Sequence, residues 1–206
     1  MSMHVFRIDR VIGAALAVGL LALGLHANEG EEAATPAIDS TAIMQQVPSE
    51  ALDSLYSGIN ADFQTVEPIL RHSCYDCHSA ETVFPWYHSL PLVKQFMDGH
   101  IEHGSRHLDM TKGFPFNDGK KNQVDLLKDM RDEIKDGDMP IFSYRLMHWG
   151  TLIKGKKQDS VFAWIDRTEA KLTAFGEEYP AFKAAQEQLK AKGKPRGDRD
   201  EDEDDD

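Results

Sequence analysis

The run Cys74-Tyr75-Asp76-Cys77-His78 sets two thiols three positions apart and follows the second directly with an imidazole. That arrangement captures haem covalently: the thiols add to the two vinyl groups on one side of the porphyrin, and His78 turns beneath the ring to offer Nε2 to the iron. These are the only two cysteines among 206 residues, so one attached haem c would consume both. Three other uses compete. A redox dithiol needs a strand-to-helix setting that lowers one thiol pKa, and no such strand pattern precedes Cys74. A zinc site needs four ligands and lacks a second ligand pair in the usual spacing, unless His72 or His88 is recruited. A disulfide across so short a loop would be strained.

His78 occupies one face of an iron, so a sixth ligand has to come from further along the chain. Met139, in Gly137-Asp138-Met139-Pro140, follows an expected helix end. A loop there can swing a flexible thioether over the ring, and Pro140 stiffens the backbone behind it. His148, in Leu146-Met147-His148-Trp149, is the alternative distal ligand, and an open or water-filled position is the third. His100, His103 and His107 stand at i, i+3 and i+7 and would share a face if a helix continued through Gly104. Gly104 and Ser105 are instead expected to end that helix, leaving the three imidazoles as solvated polar residues rather than zinc or copper ligands.

The elements that must position these groups read as helices. Residues 61–71 lead into the cysteine motif, and 91–103 begin on a proline suited to a first helical turn. Val124, Leu127, Met130 and Ile134 form one face of a helix that stops at Gly137, and Val161, Ile165, Thr168 and Leu172 form another stripe, beside Phe162 and Trp164. Residues 179–190 complete the set. No alternating strand pattern is present, so the expectation is an all-α, cytochrome c-like domain wrapped around one haem, with loops at 113–119 and 136–144. Phe84, Trp86, Tyr87, Phe114, Phe116, Tyr144 and Trp149 would supply pocket walls and core. Arg71, Lys94 or Arg145 could pair with a propionate.

The ends of the chain speak to its location. Arg7 and Arg10 precede an apolar run from Val11 to Leu25, followed by Leu25-His26-Ala27. Fifteen apolar residues fall short of the roughly 20 needed to span a bilayer, so residues 1–27 read as a secretory signal peptide, with an uncleaved anchor as the alternative. Residues 28–50 read as a linker, 51–191 as the haem-binding domain and 192–206 as a disordered acidic tail. The formal charge is −12, and Asp198 to Asp206 hold eight acids and one arginine. The body stays acidic without that tail, which excludes nucleic acid as a partner and favours a redox protein with a basic docking face. A membrane contact is expected only if the N-terminal segment is retained.

Cys74-Tyr75-Asp76-Cys77-His78-Ser79, Thr82, Pro85-Trp86-Tyr87, Pro91, Gly137-Asp138-Met139-Pro140, Tyr144, His148 and Trp164 together resemble the haem-binding domain family of bacterial periplasmic cytochromes, over residues 74–165. The resemblance implies a mono-haem c-type domain, with Cys74, Cys77 and His78 holding the haem and Met139 completing the iron; it names no substrate. A periplasmic one-electron carrier is the expected function, and an enzyme is not. The alternative is a haem enzyme or sensor, peroxidase-like or gas-binding, whose distal site is open or taken by His148.

Overall fold

A computed structural model describes residues 39–193. Among the described residues there are nine α-helices, two short 3-10 turns and no strand: α1 Ser40–Met44, α2 Ser49–Phe63, α3 Glu67–Ser73, α4 Tyr75–His78, α5 Pro91–His107, α6 Gln123–Asp136, α7 Phe142–Met147, α8 Lys156–Glu178 and α9 Pro180–Gly193, with 3-10 turns at Trp86–Ser89 and Phe116–Gly119. The all-α expectation holds. The segment read as a signal peptide and, from residue 194 onward, the segment read as an acidic tail lie outside the described residues.

The core sits where α2, α6, α8 and α9 meet. The stripe Val161, Ile165, Thr168 and Leu172 is buried along α8, as its helical spacing requires, and Trp164 beside it is fully enclosed. Phe63 from α2 packs on Trp164 at 5.3 Å between ring centroids and on Phe116 at 5.8 Å. Tilted and edge-on aromatic pairs of this kind add to simple area burial. On α6 the buried face is Leu126, Leu127, Met130 and Ile134, while Val124, read as part of that face, lies at its exposed margin. The Asn122 side chain caps α6 by accepting from the Asp125 N–H at 2.9 Å, and Gly137 ends it with φ 83°.

A polar knot ties the 3-10 turn to this core. Gln123 is fully buried; its Oε1 accepts from the Phe116 N–H at 2.8 Å, its Nε2 donates to the Phe116 carbonyl at 3.1 Å, and its own N–H donates to Gln186 Oε1 at 3.0 Å. Every group in the knot is paired, which is what permits amides at that depth.

Several boundaries differ from the sequence reading. The helix expected over 61–71 is two helices, because Pro68 lacks the N–H that would continue α2 and instead seats in the first turn of α3. The segment read as a linker carries α1, whose Ile43 is buried and which packs against α9. The loop at 136–144 is shorter than expected, since α7 begins at Phe142.

Candidate haem site

Cys74 ends α3 and begins α4, and its carbonyl accepts from the N–H groups of Cys77 at 3.1 Å and His78 at 2.9 Å, which winds the motif into a single helical turn. Both thiols are free and half-buried. Burial pushes the Cys74 thiol up to about 12 and raises Cys77 as well, the opposite of what an activated redox dithiol requires. Among the described residues no group of three or more histidines, cysteines or carboxylates stands together as a metal cluster, so the zinc alternative finds no ligand set.

His78 is held through Nδ1. Its Nδ1 lies 2.9 Å from the Leu108 carbonyl, and the Met110 N–H donates back to the His78 carbonyl at 2.8 Å. A carbonyl can only accept, so Nδ1 carries the proton and Nε2 keeps its lone pair. Burial also lowers the His78 pKa, against opposing pulls from the Leu108 and Gly104 carbonyls, which favours the neutral ring. A neutral imidazole with its remote nitrogen anchored to a backbone carbonyl is the form that binds a metal.

The turn borders a cleft with two lobes. The smaller, of about 70 Å³, is lined by Cys74, Cys77, His78, His100, His103, Met139 and Tyr144 among others. The larger, of about 420 Å³, lies between the 3-10 turn at Trp86–Ser89, α5 and α7, and its walls are almost wholly apolar: Val83, Trp86, Val93, Phe96, Met97, Ile101 and Met147. Asp76, Cys77, His100, Ile141 and Tyr144 line both, so the lobes adjoin. The volume lies in the range of cofactor sites, and the lining is of the kind that covers a flat apolar ring.

Met139 reaches this cleft by a specific fold of the backbone. The Glu133 carbonyl at the end of α6 accepts from three successive N–H groups, those of Gly137 at 3.1 Å, Asp138 at 3.2 Å and Met139 at 3.3 Å, which curls the loop back on the helix end. His148 follows α7 and lines the larger lobe; its Nδ1 sits 3.1 Å from the Tyr144 carbonyl and its ring stacks on Tyr144 at 4.1 Å, 12° from parallel. Both distal candidates therefore stand at the cleft, Met139 in the lobe that holds His78 and His148 in its neighbour.

The histidines of α5 depart from expectation. The helix runs unbroken through Gly104 to His107, so His100, His103 and His107 do share its surface, with the His103 and His107 rings 4.4 Å apart. Gly104 does not terminate α5; it lets α5 approach. A Cβ there would stand 2.8 Å from the Cys77 carbonyl oxygen, so only glycine lets the helix pack on the cysteine turn. All three histidines remain exposed, as read from the sequence.

Of the three cations weighed for propionates, Arg71 is engaged by Glu67 and Glu81, and Lys94 by Asp98. Arg145 pairs with no carboxylate among the described residues and donates to the Gly137 carbonyl at 3.2 Å. The aromatic set divides: Trp86, Tyr87 and Tyr144 line the cleft, Phe114 and Phe116 belong to the core, and Phe84 and Trp149 lie outside both. Three participants escaped the sequence reading, namely Gly104, the Leu108 carbonyl and the Asp76 carboxylate, which accepts from the Tyr144 hydroxyl. The first two carry no local signal, since each acts on a residue more than 20 positions away.

A family model described as a haem-binding domain matches residues 38–167. No curated protein and no solved structure was found to match the chain.

Proposed function

The chain belongs to the haem-binding domain family and binds haem; from that premise we propose that it is an exported one-electron carrier holding a single haem c through thioethers at Cys74 and Cys77. In this reading His78 is the proximal ligand and Met139 the distal one. The residues fit the group: two free thiols, a neutral imidazole with an available Nε2, and an apolar cleft beside them. The observation that carries the proposal is the pinning of His78 Nδ1 by Leu108 in the same lobe that Met139 lines.

Haem, when bound, supplies reversible one-electron exchange at its iron. The chain's residues do the rest. Cys74 and Cys77 tether, His78 presents a fixed nitrogen, and the walls from Val83 to Met147 exclude water, which keeps the reorganisation that accompanies each electron small. Export accords with the basic and apolar start of the chain and with thiols reserved for attachment. The acidic body suits a redox partner with a basic face, an attraction that salt would screen over about 10 Å at 0.1 M.

The test is spectroscopic. Haem should remain with the polypeptide through denaturation and acid-acetone extraction, and the ferric protein should show a weak band at about 700 nm from thioether ligation. Met139→Ala should abolish that band, lower the potential and admit cyanide or carbon monoxide. A colourless protein would end the haem c reading. A second reading, His148 as distal ligand, is favoured by the way its ring is held against Tyr144 with Nδ1 engaged; it predicts no such band, and His148→Ala rather than Met139→Ala would then open the iron.

A further inference from the structure

Of the nine helices among the described residues, α7 is the one beside the cleft that buries no residue of its own. Apolar packing does not hold it in place, and what does is polar. The Tyr144 hydroxyl donates to Asp76 Oδ2 at 2.8 Å, joining α7 to the middle of the cysteine turn across 68 positions of sequence. From the next position, Arg145 donates to the Gly137 carbonyl at 3.2 Å, joining α7 to the loop that carries Met139. The other carboxylate oxygen of Asp76 accepts from the Val83 N–H at 3.1 Å, and the Asp76 carbonyl accepts from Thr82 Oγ1 at 2.8 Å.

We infer that Asp76 and Tyr144 form a latch that holds the distal wall of the cleft against the attachment turn and so controls access of small ligands to the iron. The inference rests on the haem attachment proposed above. Asp76 and Tyr144 both line both lobes, so the latch stands where the two lobes adjoin. Burial and the Asp76 hydrogen bond raise the Tyr144 pKa, in that order, so the phenol stays protonated and remains a donor. Tyr144 then passes its position to His148 through the stacked rings and the Nδ1 contact with its own carbonyl. Asp76 and Tyr144 act as positioning residues; neither is assigned to the iron.

Two variants of the holoprotein test the latch, read by stopped-flow binding of cyanide to the ferric form and by hydrogen exchange of α7. Tyr144→Phe keeps the ring and its stacking but removes the donor. A hydrogen bond to a carboxylate is worth at least about 1.4 kcal/mol, so opening of the wall, and with it the cyanide on-rate, should rise about tenfold or more. Asp76→Asn should rescue: its carbonyl oxygen still accepts from Val83, while its amide donates to the Tyr144 oxygen, which also accepts. Wild-type-like cyanide binding in Asp76→Asn beside fast binding in Tyr144→Phe is the expected pair. Covalent haem retained in Tyr144→Phe, with unchanged cyanide kinetics and unchanged α7 exchange, would overturn the latch while leaving the haem c reading intact. Wild-type protein that loses its haem on acid-acetone extraction would overturn both.

Discussion

Around Trp164 the helices close on one another; around the cleft they do not. In the first region Phe63, Phe116, Leu127, Val161 and Ile165 are within a few per cent of complete burial, and the one deep polar cluster, at Gln123, is paired throughout. In the second, ten of the eleven exposed large apolar side chains of the described residues fall in two stretches, 83–96 and 142–149, on either side of the cleft. Trp86 and Leu92 are each 81% exposed, whereas Val124 is the lone counterpart elsewhere. Exposed apolar groups scattered singly are ordinary, but a concentration of this kind marks a binding surface. The first region is finished by its own side chains. The second is a wall built for something else, and the proposed haem site lies against it.

That contrast can be broken from either side. The largest effect is expected at the core: Trp164→Ala removes a fully buried indole and should cost about 3–5 kcal/mol of unfolding free energy. If the regions are as separate as they look, the visible spectrum of the molecules that remain folded should be unchanged. A displaced haem spectrum in that folded fraction would show the two regions to be one packing unit.

Gly104→Ala attacks the other side. The added Cβ meets the Cys77 carbonyl oxygen, a backbone atom that cannot swing aside, at 2.8 Å, so α5 must shift; overpacking of this sort costs about 1–3 kcal/mol. Haem attachment during maturation should fall because the thiols and His78 move relative to α5, and the haem-to-protein ratio of purified material measures it. An unaltered ratio would mean that α5 can retreat without disturbing the turn.

The smallest effect sharpens the comparison. Lys171 on α8 donates to Asp62 Oδ2 at 2.7 Å and to the Gly58 carbonyl at 3.1 Å, stitching α8 to α2 at the core's edge. That hydrogen bond, more than the attendant charges, lowers the Asp62 pKa from its ordinary 3.8. A carboxylate whose folded pKa is depressed stabilises the fold above its unfolded pKa, and the contribution is lost as pH falls through the folded one. Asp62→Asn should therefore cost less than about 1 kcal/mol at pH 7, because the pair is partly exposed, and nothing once the pH lies below both values. Chemical denaturation of both proteins at pH 7 and under acid conditions gives the comparison, and a penalty independent of pH would assign the effect to packing.

Legibility in the sequence followed the same divide. The core helices announce themselves because burial enforces a 3.6-residue period, and Val161, Ile165, Thr168 and Leu172 lie where that period puts them. The cysteine turn is legible because its two thiols and imidazole are contiguous in sequence and wind into a single turn. Gly104 was misread as a helix end since its signal, the lack of a side chain, is the same whether a helix stops or another backbone comes close. Asp76 sits inside the recognised motif, yet its use depends on Tyr144, 68 positions on, and no local rule couples positions so distant. Helix α7 was missed for the reason that makes it interesting: it is short and buries nothing, so it leaves no period to find.

The apolar lining of the larger lobe has a calorimetric consequence. Water against walls such as Val83, Trp86, Phe96 and Met147 finds few partners, so seating a flat apolar group there releases solvent from hydrocarbon on both surfaces. The marker of that release is a large negative heat capacity change, so the affinity of the chain for haem, before any thioether forms, curves with temperature and weakens in the cold. Covalent attachment as proposed at Cys74 and Cys77 would make retention independent of that curve. On that proposal the thioethers convert a temperature-sensitive association into a permanent one, and it is the weakly held encounter before bond formation, rather than the finished protein, that bears the thermal burden.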